Sequence, residues 1–215
     1  MDAARPGRPG ALPGAKRPTR GQGRWEGAFA KFRMAAVFKH LRPSLHGGEV
    51  LDIGCGSYPL FLIGSPFRRK VGVDQVDPVW ISQGAPPPPD VEILRLSLSG
   101  EIRLPFPDDS FGCVTSLACL EHLDPGSLPF LAAEIHRVLK PSGQVLLTTP
   151  HAFADRPLRL LARIGLVSKE EIAEHKSLFR HRHLFDLLRG AGFASEKITI
   201  RGFQLGLNIL ALAEK

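Results

Sequence analysis

Short continuous apolar runs recur along the chain at EVLDI (49–53), KVGVD (70–74), VEILRL (91–96), GCVTSL (112–117) and QVLLTT (144–149). Each has strand length and lacks the polar alternation of a half-exposed sheet, so each predicts a strand covered on both faces. Between them the period changes. Trp25, Phe29, Phe32, Ala36, Val37 and Leu41 recur at helical spacing and predict a helix over 25–41, ended by Pro43 and Gly47-Gly48. Further helices are predicted over 58–63, over 127–139 up to the stop Lys140-Pro141-Ser142-Gly143, and over 178–189. The stretch 151–177 is irregular with short helices, one opening at Ser168, where Glu171 stands in capping-box register. APPPPD (85–90) reads as a stiff connector and LPFPDDSF as a turn-rich loop. Two last strands, near 197–200 and 207–213, have no helix between them and predict a terminal antiparallel hairpin. The sum is an α/β, doubly wound, Rossmann-like sheet of seven mostly parallel strands with a C-terminal antiparallel hairpin.

The first 24 residues break this pattern. They are rich in Pro and Gly, offer almost nothing for a core, and read as a disordered basic tail ahead of one domain over 25–215. The formal charge is +7, but the tail supplies +5 of it and the remaining residues only +2. A near-neutral folded part makes nucleic acid an unlikely partner. Nothing approaches the roughly 18 consecutive apolar residues of a membrane span. Cys55, Cys113 and Cys119 are odd in number and lack metal-ligand spacing. Neither a disulfide framework nor a metal site is expected, and the default setting is a reducing cytoplasm.

The chemistry concentrates where the first strand breaks into Gly54-Cys55-Gly56. In a doubly wound sheet, ligands sit beyond the carboxyl ends of the strands, and glycines there permit a tight turn and close backbone approach. The dinucleotide fingerprint G-x-G-x-x-G fails at Pro59, and the helix behind the turn is short, which argues against a pyrophosphate ligand. Asp52, two residues before Gly54, suits a cationic amine. Asp74, ending the second strand, can accept hydrogen bonds from both hydroxyls of a ribose. A ribose, an ammonium group and no phosphate describe S-adenosylmethionine.

On these residues, the sequence resembles the class I S-adenosylmethionine-dependent methyltransferases, in particular the compact small-molecule type. The carrying segments are VLDIGCG (50–56), GVD (72–74), LPFPDDSFGCV (104–114), LEHL (120–123), EIHRVLKPSGQVLLTTP (134–150) and LLRGAGF (187–193), in the family's order. The resemblance implies that Asp52, Gly54 and Gly56 line the methionine moiety, that Asp74 holds the ribose and that Gln75 lies next to the adenine. Cys55, Leu98, Ser116 and Leu117 complete the implied cofactor set. Ser97 or Ser99 stands where the family carries an Asp for the adenine amino group, and Gly112 stands where it commonly has an Asp after Phe111.

Methyl transfer from a sulfonium needs alignment above all, and a hydroxyl acceptor also needs a base. The candidate bases are His122 in LEHL, His151 after the fifth strand and His175 in the irregular segment. His181 and His183 read instead as a basic helix start. The stretch from AEHKSLF to AGF, followed by GFQLGLNILALAEK, resembles the tail of methyltransferases that occur with polysaccharide or glycolipid synthesis. That resemblance implies a small-molecule acceptor such as a sugar or glycolipid hydroxyl or carboxyl, while the apolar residues there equally suit a lipid-like one. Two other readings compete: an RNA or protein methyltransferase steered by the basic tail, and a non-catalytic binding module motivated by Ser97 and Gly112.

Overall fold

A computed structural model describes residues 26–154 and 176–215. Its centre is a seven-stranded sheet of order β3-β2-β1-β4-β5-β7-β6, with β1 Glu49–Ile53, β2 Arg69–Asp74, β3 Val91–Arg95, β4 Phe111–Leu117, β5 Leu139–Pro150, β6 Ile198–Phe203 and β7 Asn208–Glu214. The first five strands pair in parallel, and β7 enters antiparallel between β5 and β6. The sequence-predicted fold class holds.

Adjacent apolar residues within a strand face opposite layers, which is why the strands read as unbroken apolar runs. Leu51, Val71, Val114 and Leu147 pack into one core with Leu131 and Ile135 of α4 (Leu128–Val138) and with Leu184 and Leu188 of α5 (His181–Gly190). Val50, Cys113, Leu146 and Leu212 join the other core, with Val37 of α1 (Glu26–His40), Phe61 of α2 (Leu60–Gly64) and Trp80 of α3 (Val79–Gln83).

Three details depart from the sequence pattern. The five-residue helix α3 was not predicted; it ends at Gly84 in the left-handed conformation. Helix α5 begins at His181 rather than 178, so the two histidines of its first turn lie on the helix itself. Helix α4 does end before the Lys140–Gly143 stop, at Val138, but the stop residues are no loop: they belong to β5, whose pairing with β4 is irregular between Phe111↔Leu139 and Cys113↔Gln144. Ser142 is left-handed there (φ 60°). A Cβ on Gly143 would come within 2.8 Å of both Leu139 and the Lys140 carbonyl, so only glycine fits the bulge.

The loop between β3 and β4 is clamped to α4. Arg137 donates to both oxygens of Glu134 (2.7 and 2.6 Å), to Asp108 (2.7 Å) and to the carbonyls of Phe106 and Leu104 (2.8 and 3.1 Å). Glu134 in turn accepts the Leu104 N–H at 2.7 Å. The LPFPDDSF segment therefore owes its course to two side chains of the following helix. Gly112, at the start of β4, meets only ordinary contacts (3.7 Å to Leu45), at the end of the strand away from the glycine turn.

Candidate functional site at the carboxyl edge of the sheet

Beyond Ile53 the chain turns through Gly54 and Gly56, both left-handed at φ 73°. The two glycines serve different ends. A Cβ on Gly54 would overlap the Cys119 sulfur and lie 2.5 Å from its Cβ, so Gly54 is fixed by packing against the loop after β4. The corresponding space beside Gly56 is open. The Gly56 N–H donates to Asp74 Oδ2 at 2.7 Å, and the Val76 N–H donates to Asp74 Oδ1 at 3.1 Å. Asp74 thus braces the turn.

Asp52 is buried on β1, where Thr115 of β4 donates to its Oδ1 at 2.6 Å. Burial pushes its carboxyl up to about 7, against the Thr115 hydrogen bond, and the negative charge of Asp74 pushes the same way. A buried acid raised by a second acid is a place where a cation is favoured.

The remaining residues of the implied cofactor set lie as follows. Cys55 turns its thiol inward, to 2.6 Å from where a Cβ on Gly72 would be, and burial holds it protonated; it meets the turn through its backbone. Gln75 is exposed beside Asp74. Ser97 and Ser99 are exposed and hydrogen-bonded to each other at 2.8 Å, whereas Leu98 between them is buried in the core. Ser116 is fully buried and Leu117 half-buried at the end of β4.

Of the histidines, His122 is half-buried in the single turn Leu120–His122. His151 follows β5, its Nδ1 accepting the Phe153 N–H at 3.2 Å, which makes Nε2 the protonated nitrogen of the neutral ring. Its pKa lies below the usual histidine value through burial, then through His181, whose ring centre is 5.2 Å away, and Arg180. His175 lies outside the described residues.

Glu121 is the site residue that sequence reasoning passed over. It is buried, and its Oε2 accepts the Thr149 hydroxyl at 3.0 Å. Its carbonyl receives the N–H groups of Lys176 at 2.7 Å and Ser177 at 3.1 Å. Burial raises its pKa, opposed by the charges of His122 and of Arg33 from α1. Cys119 lies within the field of Glu121, Asp74 and Asp52 together, and burial pushes its thiol up to about 12. The signal in the sequence was an acid among apolar residues shortly after a buried strand, as Asp52 is an acid among apolar residues near the end of one.

Residues 27–198 match a family model described as a methyltransferase domain. A demethylmenaquinone methyltransferase of Symbiobacterium thermophilum is 30% identical over 155 residues, covering 66% of this chain and 55% of that protein. A probable S-adenosylmethionine-dependent methyltransferase of Mycolicibacterium smegmatis is 33% identical over 128 residues, covering 59% of this chain and 48% of its own. The chain thus spans about half the length of these curated relatives. Among solved structures, a possible histamine N-methyltransferase from Thermotoga maritima aligns at TM-score 0.66 and 19% identity, over 89% of this chain and 93% of that one. An S-adenosylmethionine-dependent methyltransferase from Mesorhizobium loti aligns at 0.60 and 19%, over 85% and 98%. At such identities the structures speak for the fold.

Proposed function

Because this chain belongs to the S-adenosylmethionine-dependent class I methyltransferases, with S-adenosylmethionine as the cofactor, we propose that it methylates a small-molecule acceptor with an apolar body and a hydroxyl group. The residues present fit the cofactor. The open space at left-handed Gly56 admits a ligand against backbone, and the raised Asp52 carboxyl next to Asp74 favours a cationic amine. That cradle is the observation that carries the reading. Asp52 would hold the amino group, Asp74 the ribose hydroxyls, and the Gly54–Gly56 backbone the methionine portion. When bound, the cofactor supplies a methyl group on a positively charged sulfur.

The chain's own part is then to align the acceptor and take its proton. His122, electrostatically coupled to Glu121, is assigned the base. His151 offers its Nε2–H to the acceptor, since Nδ1 is engaged by Phe153. The apolar character of the acceptor rests on the rim beside His151. Phe153 is 56% exposed and packs 3.3 Å from the Cβ position of Gly206, next to Leu205, which is 99% exposed at the tip of the β6–β7 hairpin. The demethylmenaquinone methyltransferase relative supports an apolar acceptor of this kind.

Two measurements test this. Calorimetric titration of S-adenosylhomocysteine into the wild type and Asp74→Ala should give micromolar binding that the variant loses. Incubation with S-adenosylmethionine and a panel of hydroquinones, hydroxylated lipids and sugars should release S-adenosylhomocysteine with the apolar phenols. Binding without turnover on the whole panel, combined with methylation of RNA or protein, would replace this acceptor class.

A further inference from the structure

At the other end of the sheet, the end of α1, the start of β5, β6 and the last residues of β7 border an open surface cavity of about 230 Å³. Along β5 it opens at Gln144, six residues before Pro150 at the carboxyl edge, or about 20 Å away at about 3.3 Å per residue. It is therefore separate from the cofactor cradle.

Its walls carry an excess of positive charge. Arg42 is locked in place: its Nη1 donates to Glu214 Oε2 at 2.6 Å, its Nη2 donates to the Ser142 carbonyl, and its backbone N–H donates to Gln144 Oε1 at 3.1 Å. Gln144 closes this ring by donating to the His40 carbonyl at 3.0 Å. Lys197 lies 3.5 Å from the other oxygen of Glu214, so two cations share that single carboxylate. Arg201, on the same wall, has no carboxylate partner among the described residues. His40 reports the resulting field, since burial, Arg201 and Lys39 all lower its proton affinity.

We propose that this cavity is a binding site for a small phosphorylated anion, held by Arg201, Lys197 and Arg42. Arg42 and Lys197 are held by Glu214, with Lys197 also 3.5 Å from the Lys215 main-chain oxygen, while Arg201 has no carboxylate among the described residues; a phosphate group satisfies that charge, and guanidinium groups bind its oxygens in pairs. The volume is below the roughly 300–1,000 Å³ of pockets for drug-sized ligands, which favours a compact anion over a nucleoside. The pre-set Arg42–Gln144–His40 ring lowers the ordering cost of binding.

The test follows the His40 imidazole by NMR while the full chain is titrated with sodium pyrophosphate at constant ionic strength. Saturable binding at micromolar to low millimolar concentration should raise the His40 pKa, because the anion offsets Arg201 and Lys39. Arg201→Ala should weaken binding about tenfold, the effect of losing one charge-assisted contact. Glu214→Gln, which frees Arg42 and Lys197, should strengthen it. Thermal melts establish that both variants fold. The proposal is overturned if His40 shows no saturable response, if Arg201→Ala binds as the wild type, or if only an oligoribonucleotide binds while pyrophosphate does not.

Discussion

At the scale of single residues, the proposed cofactor cradle makes two kinds of test available. The first concerns Asp52, whose carboxyl rises from 3.8 to about 7 on burial. A carboxyl raised in the folded state keeps its proton while the unfolded chain loses it. Ligand-free stability therefore falls as pH climbs from about 3.8 towards 7, by of order 4 kcal/mol if the whole shift is realised. Asp52→Asn removes the charge yet keeps an acceptor for Thr115. We expect it to melt higher than the wild type at pH 7–8 without ligand and to bind S-adenosylhomocysteine at least tenfold more weakly by calorimetry; unchanged affinity would remove Asp52 from the cradle. The second concerns the glycines, where strain arises only on substitution. Gly54→Ala adds left-handed strain of roughly 1–2 kcal/mol and a collision with Cys119, so its melting temperature should drop by several degrees. Gly56→Ala suffers only the strain, since the space beside it is open, yet should lose cofactor affinity. A Gly56→Ala protein that binds normally would show that the open space is not where the ligand lies.

At the scale of elements, the Glu134–Arg137 clamp on α4 decides the course of a whole loop. Arg137 holds the Glu134 carboxyl below the usual carboxylate range. Its contribution is present above the unfolded value of 4.5 and is lost as pH falls through the lower folded value. Arg137→Ala leaves Glu134 nearly buried without its partner and should cost about 3 kcal/mol by urea denaturation at pH 7, with the difference shrinking in acid. Such long-range clamps mark what the sequence does and does not disclose. The parallel strands were legible because burial on both faces leaves unbroken apolar runs, and the gathering of Asp52, Gly54, Gly56 and Asp74 at the carboxyl edge was legible because they fall at or next to strand ends. Helix α3 was not, because VWISQ is too short to display a period and is held by Val79 and Trp80 in the core. Lys140–Gly143 did mark the end of α4, but the start of β5 in the same residues was not legible, because Pro141 and Gly143 read as punctuation and only pairing with β4 draws them into the sheet. Glu121 was overshadowed by the histidine next to it, and its burial depends on Thr149, 28 residues further along the chain.

At the scale of the whole molecule, charge and catalysis are assigned to different parts. The acids Asp52, Asp74 and Glu121 gather at the carboxyl edge, whereas Arg42, Lys197 and Arg201 gather around the distant cavity. The first 24 residues carry a further +5. If methylation concerns a small apolar molecule, this charge has no part in cofactor or acceptor affinity. Removing residues 1–24 should leave S-adenosylhomocysteine binding within twofold of the full chain. Saturating ligand, at about a hundred times its Kd, should still raise the stability of both forms by about 2.7 kcal/mol. Retention on an immobilised polyanion should fall, eluting at lower salt as the formal charge drops from +7 to +2. If truncation instead abolishes turnover of the small-molecule panel while cofactor binding survives, the basic segment takes part in delivering the acceptor. The acceptor would then carry negative charge, which a neutral hydroxylated lipid does not.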